Sequence, residues 1–350
     1  MNKELLQQLS HQVKNASVQE LAKAGVVFEG NQRPLMRDDV VQLANDAALI
    51  GNASAGIPAY AGLYMTPEAI QALYAPKRAE AIFGGYQYGT RVHHYLNFRF
   101  EELTGNVAAY GDFNNNGTAG ANYNWEYRQQ FEVQTNIIFG DKEAEEYALA
   151  QIDYIGGKKK SALELLERFR NASYFYGIDG LQNYGYFNDP NLNATITPLP
   201  KAAGGTSWAN ATNSEIYADV LHLYGVMNKR ANGLIEKTDS FTLMVSADSN
   251  TALGKTDQTV GFTTAEDLIK RNFPNMTIVQ VPEMETLAGN HVGLIVDNVM
   301  GGGVAAAGFS EKLRSGRLIP GTTSYSQKQS ASTWGLICKQ PVGIASMLGV

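Results

Sequence analysis

A mixed α+β fold, organised around a projecting β-hairpin that runs into a long helix, is what this chain predicts, and three observations carry it. Two strand-like runs flank an Asn/Gly-rich turn between residues 90 and 138. The second run leads almost directly into a helix-forming segment from Asp141 onward. Beyond residue 206 strands and helices alternate, the pattern of an α/β lobe. A two-stranded arm of that length cannot bury itself alone, so it implies a partner subunit.

Composition bounds the class. With 350 residues the chain exceeds the size of one ordinary core, so two packed lobes plus extensions are expected. Hydrophobic residues are 44% and charged residues only 18%, which argues against disorder and suits burial against neighbours. A net charge of -6 gives no basic footprint for extensive contact with nucleic-acid phosphates. The single cysteine, Cys338, excludes an intrachain disulfide framework, and its apolar surroundings read as an inert core thiol. No apolar run approaches the roughly 20 residues that cross a bilayer, and the polar N-terminus lacks the apolar stretch of a signal peptide, so synthesis in a cytoplasm is expected.

Residues 1–60 hold one short amphipathic helix among Gly-, Ala- and Asn-rich connectors and read as an extended arm. Thr66, Pro67 and Glu68 form a helix start, with Ile70, Leu73 and Tyr74 as its apolar stripe. Residues 77–83 form a second short helix, ended by Gly84 and Gly85. In residues 90–103, Val92, His94, Leu96, Phe98 and Phe100 alternate with more polar neighbours, the pattern of a half-buried strand. Residues 112–117 make the turn. The returning run, residues 123–138, alternates through Tyr123, Trp125, Tyr127, Phe131, Val133 and Thr135.

Asp141 caps the long helix, and Glu143, Glu145 and Glu146 lie favourably against its positive end. Tyr147, Ala148, Ile152 and Ile155 make one apolar stripe, and Leu163, Leu166, Phe169 and Ala172 another. Between them Gly156 and Gly157 cost roughly 2 kcal/mol relative to alanine, which predicts a bend or break there. The ring-rich residues 174–190 form a junction between lobes. Trp208 and the capping series from Thr212 to Glu215 open a helix whose Ile216, Val220, Leu221, Leu223 and Tyr224 face inward. Residues 241–245, 277–281 and 292–297 are strands, and residues 264–271 a helix. After Gly303 the pattern is weak until residues 332–347, which read as one or two closing strands.

Several local strings mimic chemistry. Asp112, Asn114, Asn116 and Gly117 match the opening of a calcium loop, but the position of the obligatory acid is Tyr123. Residues 241–247 followed by Gly254, Lys255 and Thr256 resemble a strand entering a phosphate loop, but the first glycine of that pattern is Ser249. His93 and His94 are adjacent on a strand and point to opposite faces. His11, His222 and His291 have no metal-ligand spacing with each other or with Cys338. No metal, cofactor or catalytic residue is assigned.

Taken in order, these pieces resemble the major capsid proteins of tailed bacteriophages with the Hong Kong 97 phage-type capsid fold, over residues 57–350. The resemblance rests on Ile57-Pro58, on Pro67 to Ile70, and on Ala75-Pro76 through Ile82, Phe83 and Gly84. It continues through Gly105 to Gly111 with Asp112, the helix of residues 141–176, and the junction from Gly177 to Asn183. Trp208, the helix around Glu215, Ile216 and Asp219, the strand of residues 241–245, and Pro341 to Ala345 complete it. The fold it implies has an N-terminal arm at 1–60, the start of a peripheral domain at 61–104, and an extended loop at 105–140. A spine helix and more of the peripheral domain follow at 141–205, an axial domain at 206–325, and a C-terminal peripheral strand at 326–350.

The implied function is a shell subunit forming hexamers and pentamers of an icosahedral head around genomic DNA, assembled in the host cytoplasm and located in the virion. Portal, scaffold or decoration proteins are the implied partners, with weak nonspecific DNA contact and no membrane. The candidate intersubunit contacts are Tyr110, Asp112, Phe113, Asn116, Trp125 and Tyr127 on the loop, and Lys158, Lys159 and Lys160 on the helix. No long charged helical segment precedes residue 60, so a separate scaffold or none is implied, and neither Lys158 nor any asparagine is assigned cross-linking chemistry. The alternatives are an encapsulin-like bacterial compartment shell and, from another class, a cytoplasmic α/β enzyme using residues 249–256 as a nucleotide loop.

Overall fold

The computed structural model describes residues 75–149, 153–257 and 263–350. The expected arm, Ile57-Pro58, the helix start at Thr66 and the stripe residue Ile152 lie outside the described residues.

The main core lies between a mixed sheet and the helix Asn213–Arg230. The sheet runs in the order Ile344–Leu348, Gly289–Val296, Phe241–Val245, Met276–Gln280, antiparallel except for the parallel pair of Phe241–Val245 and Met276–Gln280. That parallel pair is bridged by the helices Ala247–Leu253 and Ala265–Asn272, as parallel neighbours require. The helix Asn213–Arg230 starts at a capping box: the Thr212 hydroxyl accepts from Glu215, whose carboxylate accepts in return from the Thr212 backbone N–H. Its Ile216, Val220, Leu223 and Met227 are fully buried, each stabilising the lobe by about 1.5–3 kcal/mol. Leu221, expected to face inward, is instead exposed, because it sits about a hundred degrees round the helix from Val220.

The long helical region breaks where an acid caps it and not at its glycines. One helix spans Asp141–Leu149 and a second Tyr154–Tyr176. Asp153 caps the second by accepting from the Gly156 backbone N–H at 2.9 Å. A Cβ at Gly156 would collide with that carboxylate, so the glycine that weakens a helix interior here admits the cap. The buried stripe of Tyr154–Tyr176 includes Ala162, Leu166, Phe169, Tyr174 and Phe175, while Leu163 is exposed.

The hairpin differs from expectation at both roots. Its first strand is Tyr95–Asn106, so Val92, His93 and His94 precede it. His93 closes a turn, its Nδ1 accepting from the Thr90 N–H at 3.0 Å. The returning run is two strands: Thr118–Gln129 completes the hairpin, and Phe131–Gly140 leaves it to pair with Ser324–Thr333. The switch occurs at Gln130, whose side chain donates to Ser310 at 2.5 Å, next to the fully buried Arg128.

The weakly patterned region after Gly303 contains Ala305–Phe309, Arg314–Pro320 and Ser324–Thr333. Small and polar residues conceal it in the sequence, since burial here comes from alanines, serines and Trp334. The segment 326–350, expected as a peripheral strand, supplies three strands in three sheets. Ser324–Thr333 joins the hairpin-root sheet, Gly335–Cys338 pairs with Ala305–Phe309, and Ile344–Leu348 enters the same sheet as Phe241–Val245. Gly335 (φ 73°) makes the corner: a Cβ there would strike the Tyr184 carbonyl.

Candidate intersubunit surface

The hairpin pairs in unbroken register from Tyr95 opposite Gln129 to Asn106 opposite Thr118. Opposed residues share a face. One face therefore carries Leu96, Phe98 and Phe100 with Arg128, Glu126 and Asn124. The other carries Tyr95, Asn97, Arg99, Glu101 and Leu103 with Tyr127, Trp125, Tyr123 and Ala121.

The two faces have different fates. On the first, Leu96 and Phe98 pack against Trp334, Ala306 and Ile337, and the Phe98 ring meets Tyr88 edge-on at 6.1 Å. On the second, Tyr95, Tyr123, Trp125 and Tyr127 remain about half exposed and Leu103 is 82% exposed. Arg99 lies over the Tyr123 ring at 5.2 Å, and Glu101 accepts from the Tyr123 hydroxyl at 3.5 Å. A contiguous exposed aromatic strip on an extended ribbon is a candidate interaction surface.

Beyond the strands, Val107, Tyr110 and Phe113 stand almost wholly in solvent, with Asp112 and Asn116 beside them. Trp125 and Tyr127 are thus brought together with Tyr95, Tyr123 and Leu103, none of which the sequence had marked as a candidate contact. Strand parity was the signal that could have found them. The lysines divide: Lys158 donates to the Ile138 carbonyl at 2.7 Å, lies over the Tyr154 ring at 4.2 Å and pairs with Glu143 at 3.5 Å. Lys159 and Lys160 are exposed. Tyr154 also donates to Glu143, and its ring stacks on Tyr147 at 4.1 Å, so this cluster ties the two helices and the strand Phe131–Gly140 together. Accepting from Tyr154, above all, holds the Glu143 carboxyl below its usual value.

The root is anchored by polar groups whose anchoring role no local motif announced. Arg128 pairs with Glu126 and with Asp189, and its guanidinium lies over the Tyr184 ring at 4.9 Å. Asn183, fully buried, donates to the carbonyls of Gln129 at 3.0 Å and Thr333 at 3.1 Å. The short helix Ala79–Phe83 is held to the long one by Glu80 to Arg170 at 3.2 Å, and by Lys77 to Glu164 and Glu167 at 2.6 Å.

The string that resembled a phosphate loop is structural. Residues 249–256 form most of the helix Ala247–Leu253 and the turn after it, with Ser249 buried. Lys255 donates to the carbonyls of Trp208 and Ala209, at 2.9 and 2.6 Å, so it holds the chain around Trp208. Cys338 is buried and its thiol pKa is pushed well up by that burial. His291 is likewise buried, which lowers its pKa to about 4. Among the described residues no cluster of His, Cys, Asp and Glu could hold a metal ion, and no helix is long and apolar enough to cross a membrane.

A family model described as Pa193 gp26 major capsid protein matches residues 48–349. Among solved structures the chain is similar to the capsid of Myoviridae phage XM1, at TM-score 0.68 and 12% identity, covering 84% of this chain and 99% of that one. It is also similar to the capsid of a native GTA particle, at TM-score 0.59 and 11% identity, over 86% of this chain and 99% of that one. A third similar structure, from Microbacterium phage Oxtober96, has TM-score 0.54 and 11% identity over 91% and 100%. No curated protein sequence matches the chain.

Proposed function

The chain belongs to the Pa193 gp26 major capsid protein family, and from that premise we propose that its copies close an icosahedral phage head through hexamers and pentamers joined by the hairpin. The fold is the Hong Kong 97 phage-type capsid fold and the role is that of a structural shell protein. The observation that supports the mode of assembly is the uncovered aromatic face of Tyr95, Tyr123, Trp125 and Tyr127 on a ribbon that packs on its own lobe only at its root. A two-stranded ribbon is marginal alone, and covering it with a neighbouring copy removes both the exposed rings and the instability.

In this reading residues 1–60 act as an arm, residues 105–140 as the extended loop and residues 141–205 as spine helix and peripheral domain. Residues 206–325 are the axial part, with the strand Ile344–Leu348 added to it. The enclosed genomic DNA is held weakly, in keeping with a net charge of -6. Portal, scaffold and decoration proteins complete the head, and assembly takes place in the host cytoplasm. Negative-stain microscopy of the purified chain tests this. Regular shells, or rings of five and six, are expected; a monodisperse monomer at every concentration would overturn it.

A further inference from the structure

Two Asn-Gly pairs occur in the chain, Asn116-Gly117 and Asn232-Gly233, and their surroundings give them different chemistry. An asparagine side chain is open to attack by the backbone nitrogen of the residue after it, because the ring that closes has five members. A side chain on that following residue hinders the approach, and glycine has none. The attack also needs a backbone nitrogen not already engaged in a hydrogen bond.

Asn232-Gly233 fails the second condition. Both residues are exposed, but Asn232 stands in the left-handed region (φ 52°) just past the helix Asn213–Arg230, and the Gly233 N–H donates to the Asn228 carbonyl at 3.0 Å. Attack by that nitrogen would first have to undo the helix terminus. Asn116-Gly117 lies on the hairpin's distal turn and is exposed as well, yet neither the Asn116 amide nor the Gly117 N–H has a hydrogen-bond partner among the described residues. The bonds that close the ribbon start one residue later, where the Thr118 N–H and hydroxyl donate to Asn106 Oδ1 at 3.1 and 3.0 Å. Asn106, Asn122 and Asn124 are on paired strands and precede Val107, Tyr123 and Trp125, whose side chains shield the nitrogen.

Resting on the shell reading above, we propose that Asn116-Gly117 is a self-modification site, converted in the unassembled subunit to a carboxylate that takes the hairpin tip out of assembly. In the first step the Gly117 nitrogen gives up its proton, its electron pair forms a bond to Asn116 Cγ, and the Cγ–Nδ2 bond breaks. Nδ2 leaves as ammonia with the proton that Gly117 lost. In the second step water adds to one of the two ring carbonyls and opens its bond to the Gly117 nitrogen, giving aspartate through Cγ or isoaspartate through the Asn116 backbone carbonyl. The sum takes up one water and releases one ammonia, with no oxidant or reductant. The new acid joins Asp112 on a turn, residues 104–117, that holds no cation. A tip of amides and rings then carries two carboxylates, and taking unpaired charges out of water opposes contact with another copy.

The full chain, freshly purified and held unassembled in mildly alkaline buffer, tests this by peptide mass spectrometry over time. Asn116 is expected to convert to a mixture of aspartate and isoaspartate at least an order of magnitude faster than Asn232. Gly117→Ala places a Cβ in ordinary contact, 3.6 Å from the Asn106 carbonyl and with no left-handed backbone to strain. It is expected to slow the conversion by an order of magnitude or more without moving the melting temperature, and to keep particle yield after ageing. Asn116→Asp is expected to lower particle yield severalfold from the start. A retained amide at Asn116, equal conversion at Asn232, or undiminished conversion in Gly117→Ala would overturn the site, and ordinary particle yield from Asn116→Asp would overturn its effect on assembly; the shell reading stands in each case. If the fresh, unconverted chain forms no particle or ring, the shell reading and the effect on assembly fall together, while the masses still decide the chemistry at Asn116.

Discussion

Arg128 donates to Asp189 at 3.1 Å with both side chains sealed from solvent, at the point where the hairpin meets its lobe. Taking two charges out of water is expensive, and the attraction between them offsets that only where the remaining donors and acceptors are engaged. Here Arg128 also pairs with Glu126, donates to the Tyr127 carbonyl at 3.3 Å and lies over Tyr184, and Asp189 accepts from the Asn191 N–H at 2.9 Å, although the buried Arg128 Nε has no hydrogen-bond partner among the described residues. Burial still pushes the Asp189 carboxyl up, against the pull of that N–H and of Arg128. The pair helps fix the direction in which the ribbon leaves the body, and in the assembly proposed above a contact far out on the ribbon depends on that direction.

Removing one partner therefore strands the other. Arg128→Ala or Asp189→Ala is expected to destabilise the subunit by about 3–5 kcal/mol, the magnitude for a broken buried ion pair. Arg128→Ala combined with Asp189→Ala should cost clearly less than the sum of the singles. Denaturant unfolding of the four proteins measures this coupling, and strict additivity would show that the two groups act independently.

Asn183 gives a second, narrower case. Its amide serves the carbonyls of Gln129 and Thr333, joining the end of the hairpin to the end of the neighbouring strand. Asn183→Ala removes both bonds, and each buried acceptor left without a donor costs about 1–3 kcal/mol. Hydrogen exchange is expected to quicken at the hairpin root and at Ser324–Thr333 while the helix Asn213–Arg230 stays protected. Uniform quickening across the subunit would assign Asn183 a general role in stability instead.

Acid should loosen the helices Asn213–Arg230 and Ala265–Asn272 in a predictable sense. The backbone N–H groups of Thr212 and Ala202 hold the Glu215 carboxyl below its ordinary 4.5. The Thr264 hydroxyl, followed by its backbone N–H, holds Asp267 below 3.8. A carboxyl depressed in the folded state contributes stability that is complete above its unfolded value and is lost as pH falls through the folded one. Melting temperature should accordingly fall below about pH 4.5, and Glu215→Gln with Asp267→Asn should flatten that fall while lowering stability at pH 7. An identical slope in the variant would remove these caps from the acid response.

What the sequence disclosed follows from which forces are local. Thr212 with Glu215 announced its helix because a capping box is completed within four residues. The strand Phe241–Val245 was plain because every one of its residues is buried. The aromatic alternation of Tyr123, Trp125 and Tyr127 was legible too, but which face it joined depended on pairing with residues more than twenty positions away. The switch at Gln130 and the anchors Arg128 and Asn183 were concealed because their partners are distant: Ser310, Asp189 and Thr333. The break at Asp153 rests on a bond to Gly156 only three residues on, in a stretch where the two glycines themselves read as the break. The strands between Ala305 and Thr333 were missed because serine and alanine bury there beside Trp334 without an apolar rhythm.

The hairpin itself offers the most direct separation of folding from assembly. Phe100 lies directly opposite Asn124, so residues 101–123 can be replaced by Asn-Gly, a pair suited to a two-residue turn between antiparallel strands. The retained root keeps Leu96 and Phe98 on Trp334 and Ile337, together with Arg128 and its partners. None of the removed residues belongs to a buried cluster. The shortened chain is therefore expected to melt at the temperature of the unassembled full-length subunit and to be more soluble, having lost Tyr110, Phe113 and Tyr123. It should form no closed particles, and mixed with the full chain it should lower particle yield by occupying positions whose contacts it cannot extend. Sedimentation and electron microscopy read both effects. Intact particles built from the shortened chain would show that the ribbon's distal half is dispensable for closing the shell.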